Sequence, residues 1–342
     1  MLAWNPPSSA AGPVAYLILA HRRGDQVRRL ASRITQLSPD ARVLIHWDAS
    51  APEPCPVSLP DRVWLTQRRI PAGWGDWSLV EAFLILLDQA NRWFAPRWSV
   101  LISGEDWPVR NLSCWEAHLD VQGIDALIQS AVVRNWPKEG EIDVALEADE
   151  IRRYGDSWIR LARPSWPLAA RLCDGLVRRL EARASRGSRY PAVMNLYGRA
   201  YAISWRPHRL PSDDWALHKG AQWMVCGPRA AQILLSTPNA IRKHFQHTLI
   251  PDESFPHTVL RNTEGLLVGD GLTSYAPWSH FGRLPHLVLR SEDLPEIVAS
   301  GAPFARKIGE GEHVAIVDEL DSLVEAECAR AATQKVNSRE QE

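Results

Sequence analysis

Two pairs of adjacent carboxylates stand out among the residues able to do chemistry: Asp252-Glu253, directly after Pro251, and Glu105-Asp106, after the apolar run Trp98–Ser103. Asp252 and Glu253 precede a short apolar run carrying Phe255, Val259 and Leu260, which puts them in the first turn of a helix, where its positive end favours ionised carboxylates. A fixed, ionised carboxylate can take a proton from an attacking hydroxyl. The same position suits a plain helix cap, and spacing alone does not separate the two roles. Basic side chains are nearly all arginine, and the five lysines, Lys138, Lys219, Lys243, Lys307 and Lys335, are therefore conspicuous. No Asp-x-Asp occurs anywhere in the chain. Glu141-Ile142-Asp143 has that spacing but no apolar strand before it, and the adjacent Glu105 and Asp106 project differently from an i, i+2 pair. The sequence therefore predicts no metal site, and a divalent ion held by Glu105 and Asp106 is the alternative.

These residues need elements to hold them. Val14–Ala20 is a continuous apolar run of strand length, ending at His21-Arg22. Val27, Leu30, Ala31, Ile34 and Leu37 recur at helical spacing, and a second buried strand, Arg42–His46, ends at Asp48. Strand, helix, strand in this order implies a right-handed crossover and a parallel sheet buried on both faces. Ligands of such sheets bind beyond the carboxyl ends of the strands, where His21, Arg22 and Asp48 fall. A short third strand follows at 61–66, then a long helix over about 77–94 with Asp76 or Ser78 as its cap, and a fourth strand, Trp98–Ser103. Further strands are expected at 124–128, 197–203, 218–226 and 283–289, with helices at 228–235 and after Glu253. Asp48 suits a strand-end turn as well as a ligand contact, and Trp223, inside an apolar strand, suits the core as well as a pocket wall.

Composition bounds the rest. A chain of 342 residues with 45% hydrophobic and 23% charged residues can bury a sizeable core. A net charge of -1 gives no case for bulk attraction to nucleic acid or anionic lipid, so any such attraction has to be local. The local candidate is the stretch from Arg152 to Arg189, which holds ten arginines and reads either as a solvated helical face or as a patch for an acceptor or another anionic partner. No nucleic-acid motif is present. Five widely spaced cysteines form neither a metal-type pair nor a disulfide framework. No apolar run reaches membrane-spanning length, and Met1–Pro13 lacks a signal-peptide pattern, so the expectation is a reduced, cytoplasmic protein without a membrane span. The 16 tryptophans offer flat surfaces for sugars or bases, though most belong in a core.

Several of these stretches, in order, resemble the core-2/I-branching N-acetylglucosaminyltransferases and peptide xylosyltransferases, the glycosyltransferase family 14 group. Pro251-Asp252-Glu253 with Phe255, Thr258 and Leu260 resembles that family's Pro-Asp-Glu segment. Ile45-His46-Trp47-Asp48 resembles its Ile-His-Val-Asp, Trp74-Gly75-Asp76-Trp77-Ser78 its Trp-Gly-x-x-Ser, and Ser103–Arg110 its Ser-Gly-x-Asp-x-Pro-Ile-Lys. The 218–226 segment with Trp223 resembles its Gly-Ser-x-Trp, and Pro303–Ile308 its closing Phe-Ala-Arg-Lys-Phe. Ala49 stands where the family has a basic residue.

The resemblance implies an α/β, GT-A-like, Rossmann-type, mostly parallel sheet flanked by helices in one catalytic domain over 14–325. Within it 14–130 would be the nucleotide-sugar half, 131–190 an Arg-rich insertion and 191–325 the acceptor half, between a short N-terminus and a polar tail at 326–342. It also implies an inverting, metal-independent transferase of bacterial type that moves N-acetylglucosamine or xylose from a UDP-sugar to a glycan, peptide or glycosylated small-molecule acceptor, with no cofactor. Glu253 would be the general base. His21, Asp48, Lys307 and Arg283, with Arg290 its competitor, would contact UDP, and Glu105, Asp106, Trp107, Trp223 and Asp252 would line the substrate site. A silent glycan- or nucleotide-binding protein is the non-enzymatic alternative.

Overall fold

The computed structural model describes residues 12–56, 58–133, 152–184, 192–196, 200–207, 215–277, 288–309 and 315–339. Its strands are β1 (Val14–Ala20), β2 (Arg42–Trp47), β3 (Val63–Leu65), β4 (Trp98–Ser103), β5 (Asp106–Pro108), β6 (Ala126–Ile128), β7 (Ser130–Val132), β8 (Asp156–Ala162), β9 (Ala192–Leu196), β10 (Ala200–Pro207), β11 (His218–Gly220), β12 (Val225–Cys226), β13 (Val268–Asp270), β14 (Ser274–Tyr275) and β15 (Phe304–Arg306). Seven of them form the main sheet, in the order β13-β6-β12-β4-β1-β2-β3. All its pairings are parallel except those of β12, which runs against both β4 and β6.

Every residue of β1 is buried, which a continuous apolar run requires of a strand covered on both faces. Its side chains alternate between two cores. Tyr16 and Ile18, with Val43, Ile45, Val100 and Ile102, meet Val27, Leu30 and Ile34 of the helix Gly24–Leu37 and Ile316 and Leu320 of the helix Ala315–Arg339. Leu17, Leu44 and Leu101 face Val80, Phe83 and Leu87 of the helix Trp77–Phe94, Leu234 of the helix Pro228–Leu235 and Phe255 of the helix Phe255–Arg261. Each such fully buried side chain contributes about 1.5–3 kcal/mol. Among the described tryptophans, Trp47, Trp98, Trp107 and Trp158 follow the same logic and are buried, whereas Trp93 and Trp166 are exposed. Asp76, not Ser78, caps the 77–94 helix, accepting from the Ser78 backbone N–H at 2.8 Å.

Because β1 pairs with β2 on one side and β4 on the other, and the 24–37 and 77–94 helices lie on opposite faces, the order of strands reverses at β1/β4. In open α/β sheets ligands bind beyond the carboxyl ends of the strands at such a reversal. A small sheet, β14-β15-β5, caps that end, with Arg306 opposite Asp106. Gly104 makes the turn between β4 and β5 fit, since a Cβ there would lie 2.7 Å from a Val27 methyl.

Two expectations change. The predicted strand 218–226 is two short strands in different sheets, β11 and β12, because its middle is drawn toward its neighbours: a Cβ on Gly220 would lie 1.9 Å from the Gln129 carbonyl, and Ala221 N–H donates to that carbonyl. The expected polar tail is helical as far as Arg339. Part of the Arg-rich stretch is ordered as β8 and the helix Pro167–Ala184 packed on a three-stranded sheet, β8-β10-β9. The 197–203 strand is observed as β10, from Ala200 to Pro207. Glu141-Ile142-Asp143 and most of the expected 283–289 strand lie outside the described residues. All five cysteines are free thiols. Among the described residues no helix is long and apolar enough to cross a membrane.

Candidate functional site

Strands β1, β2 and β4 deliver His21, Asp48 and Glu105 to one edge of the sheet, and β15 brings Lys307 there. Glu105, buried, is gripped by two cations. Lys307 Nζ lies 3.3 Å from Oε2, and Arg22 Nε donates to Oε1 at 2.9 Å. Burial pushes the Glu105 carboxyl up, but Lys307 and Arg22 outweigh it and hold it below the usual carboxylate value. Burial lowers the Lys307 ammonium, opposed by Glu105. His21 is lowered by partial burial and feels Glu105, Arg22, Asp48 and Lys307, which fixes it as a member of the same group. The segment is locked to β1 by Arg23, whose guanidinium donates to the Ile308 and Gly309 carbonyls, and by Ile308 N–H donating to the Glu105 carbonyl at 2.9 Å.

Asp106 behaves differently from its neighbour. At 0% exposure, its Oδ2 accepts from the Ser103 backbone N–H at 2.6 Å and the Ser103 hydroxyl at 2.7 Å, and its Oδ1 accepts from the Ser274 hydroxyl. Both oxygens are committed to holding β4, β5 and β14 together, so a cation shared with Glu105 would have to displace hydroxyls from one carboxylate and ammonium or guanidinium from the other. Asp48 is also partly committed: Oδ1 accepts from the Ser50 N–H and hydroxyl, and Oδ2 from Ala72 N–H at 3.3 Å. It serves the strand-end turn at the carboxyl end of β2.

The second carboxylate pair sits in a single 3-10 turn, Pro251–Glu253, entered through the left-handed Ile250 (φ 50°). Ile250 N–H donates to the Gly75 carbonyl at 2.9 Å, tying this turn to the loop before the 77–94 helix. Glu253 is half-buried and accepts a hydrogen bond from the Tyr154 hydroxyl at Oε2. Asp252 is buried, and among the described residues its Oδ1 has no hydrogen-bond partner. Burial first, and then the adjacent Glu253, push the Asp252 carboxyl up to about 8, with Arg160 the opposing cation. Burial and the neighbouring Glu253 thus favour the protonated form of Asp252, beside a carboxyl group that a tyrosine orients.

Trp223 links the two corners. Its ring lies under the Arg306 guanidinium, 4.0 Å away, while its neighbours Gln222 and Met224 line a small cavity with Asp252. Trp107 is not brought into this group: it is 3% exposed, its ring is in the core and its Nε1 donates to Asp321 at 3.1 Å. Arg290 is exposed, and its backbone N–H bonds to Asp293. Arg283 lies outside the described residues.

Tyr154, Arg160, Arg306 and Ser274 are participants that the sequence did not single out. Only Arg306, beside Lys307 in a matched segment, carried a signal. No family model matches this chain, and no curated protein matches it in sequence. Among the described residues no three His, Cys, Asp or Glu side chains are grouped to share a metal ion.

Proposed function

We propose that this protein is an inverting glycosyltransferase of GT-A-like fold that moves a sugar from a UDP-sugar to an acceptor hydroxyl. The observation that carries the reading is the convergence of Lys307 and Arg22 on Glu105 at the strand-order reversal of a mostly parallel sheet, where nucleotide ligands bind in such architectures. Departure of a nucleoside diphosphate develops negative charge, and fixed cations in a partly dry site are a strong means of stabilising it. Lys307 and Arg22 supply that charge, His21 and Asp48 flank the nucleotide, and Trp223 on Arg306 forms the wall toward the acceptor. Glu253, held by Tyr154, takes the proton of the attacking hydroxyl. Asp252, whose burial favours the protonated form, offers an O–H donor beside it. A single displacement gives a β-linked product from an α-linked donor. The resemblance to the family 14 transferases favours N-acetylglucosamine or xylose.

The test is UDP release from UDP-N-acetylglucosamine and UDP-xylose, run with and without EDTA. Turnover that survives EDTA is expected. Loss restored by manganese would move the catalytic charge to an ion on Glu105 and Asp106. Absence of turnover with every UDP-sugar and acceptor tried, alongside tight UDP binding, would reduce the protein to a silent binder.

A further inference from the structure

Eleven large apolar side chains are exposed among the described residues, and six of them, Ile159, Leu161, Trp166, Leu168, Leu172 and Leu176, lie within one short stretch. The helix Pro167–Ala184 is two-sided. Ala170, Val177 and the partly buried Cys173 and Leu180 face its own small sheet, with Val177 packed on Val193 and Tyr201. Leu168, Leu172 and Leu176, spaced by four, form a second stripe that faces outward at 70%, 67% and 58% exposure. Trp166 stands at its start, 78% exposed. Arg171, Arg178 and Arg179 are exposed beside and along this stripe, whereas Asp174 is bound to Arg163 and Tyr201, each at 2.7 Å. A leucine stripe about 12 Å long from Leu168 to Leu176, edged by arginine and opened by a tryptophan, is the pattern of a helix lying in the plane of a membrane surface.

We propose that the outward face of the Pro167–Ala184 helix docks this protein on an anionic lipid bilayer, with the leucines in the headgroup boundary and the three arginines on lipid phosphates. The proposal does not rest on the transferase reading. Its occupant follows from charge: the face carries three exposed cations and no exposed acid between Trp166 and Arg179, so a second copy of the same face would be repelled and a negatively charged surface attracted. The chain as a whole is nearly neutral, so this attraction is local. An apolar patch of this kind, edged by charge, marks an interaction surface.

Co-sedimentation of the full chain with vesicles tests it, comparing phosphatidylcholine alone with phosphatidylcholine containing about one third phosphatidylglycerol. Binding to the anionic vesicles only, weakening as salt rises, is expected. Replacing Arg171, Arg178 and Arg179 with Gln should weaken it about a hundredfold. Leu172→Asp with Leu176→Asp should abolish it, with the thermal midpoint unchanged because both side chains are already exposed. Should the leucine pair unfold the protein, the arginine triple alone decides. Equal sedimentation with and without phosphatidylglycerol would overturn the proposal, as would absence of vesicle binding together with a dimer in light scattering that Leu172→Asp dissociates.

Discussion

Glu105-Asp106 and Asp252-Glu253 are nearly the same dipeptide, reversed, and the fold gives them opposite treatment. Around the first pair it gathers Lys307, Arg22 and two serine hydroxyls, so Glu105 is held ionised and Asp106 has both oxygens occupied. Around the second it supplies burial, so Asp252 is driven to about 8 and its Oδ1 has no hydrogen-bond partner among the described residues. Two carboxylates pushed apart by surroundings are how one protein obtains both an acid and a base at the same pH. The compensated pair organises cations. The second pair is suited to exchanging a proton.

The contrast is sharpened first at Glu253. Glu253→Gln keeps the shape and the tyrosine contact but removes the proton acceptor, and kcat should fall by about 10²–10⁴-fold with donor affinity unchanged. Unaltered turnover would leave Glu253 as no more than the end of a turn.

The next effect is on stability. Asp252 is raised from its ordinary 3.8 to about 8, so the folded protein binds a proton that the unfolded chain releases across that window. Its contribution is present below pH of about 4 and is lost as pH rises toward about 8, with a slope of up to about 1.4 kcal/mol per pH unit. Asp252→Asn should flatten that slope and leave the variant more stable than the parent in mild alkali, as read by denaturant unfolding across pH. Parallel profiles would mean that Asp252 is ionised and paired.

The smallest effect belongs to the wall between the pairs. Trp223→Leu removes the ring under Arg306 and should cost about 0.5–2 kcal/mol of stability while sparing the Asp252 profile, because the two features rest on different contacts. A changed profile would show the corners to be one unit.

Much of the frame was legible in the chain. Continuous apolar runs at Val14–Ala20 and Trp98–Ser103 identify strands buried on both faces, and their order implies the parallel sheet and the edge where His21, Asp48 and Glu105 meet. What could not be read depends on pairings distant in sequence. Nothing local says that Tyr154 reaches Glu253, that Ser274 occupies Asp106, or that Trp107 turns into the core while Trp223 lies beneath an arginine. The break within 218–226 was hidden for the same reason, since the Gln129 carbonyl that crowds Gly220 lies far earlier in the chain. The outward leucines of the 167–184 helix leave little trace among the arginines, because a stretch with apolar residues on two sides shows a weak periodic signal.

The most direct test is calorimetric titration of UDP, in EDTA, into the parent protein and Lys307→Met. If fixed cations at the strand-order reversal hold the diphosphate, the parent binds UDP and the variant binds it about 10- to 100-fold more weakly. Equal affinity in the two proteins, or none in either, would contradict the account.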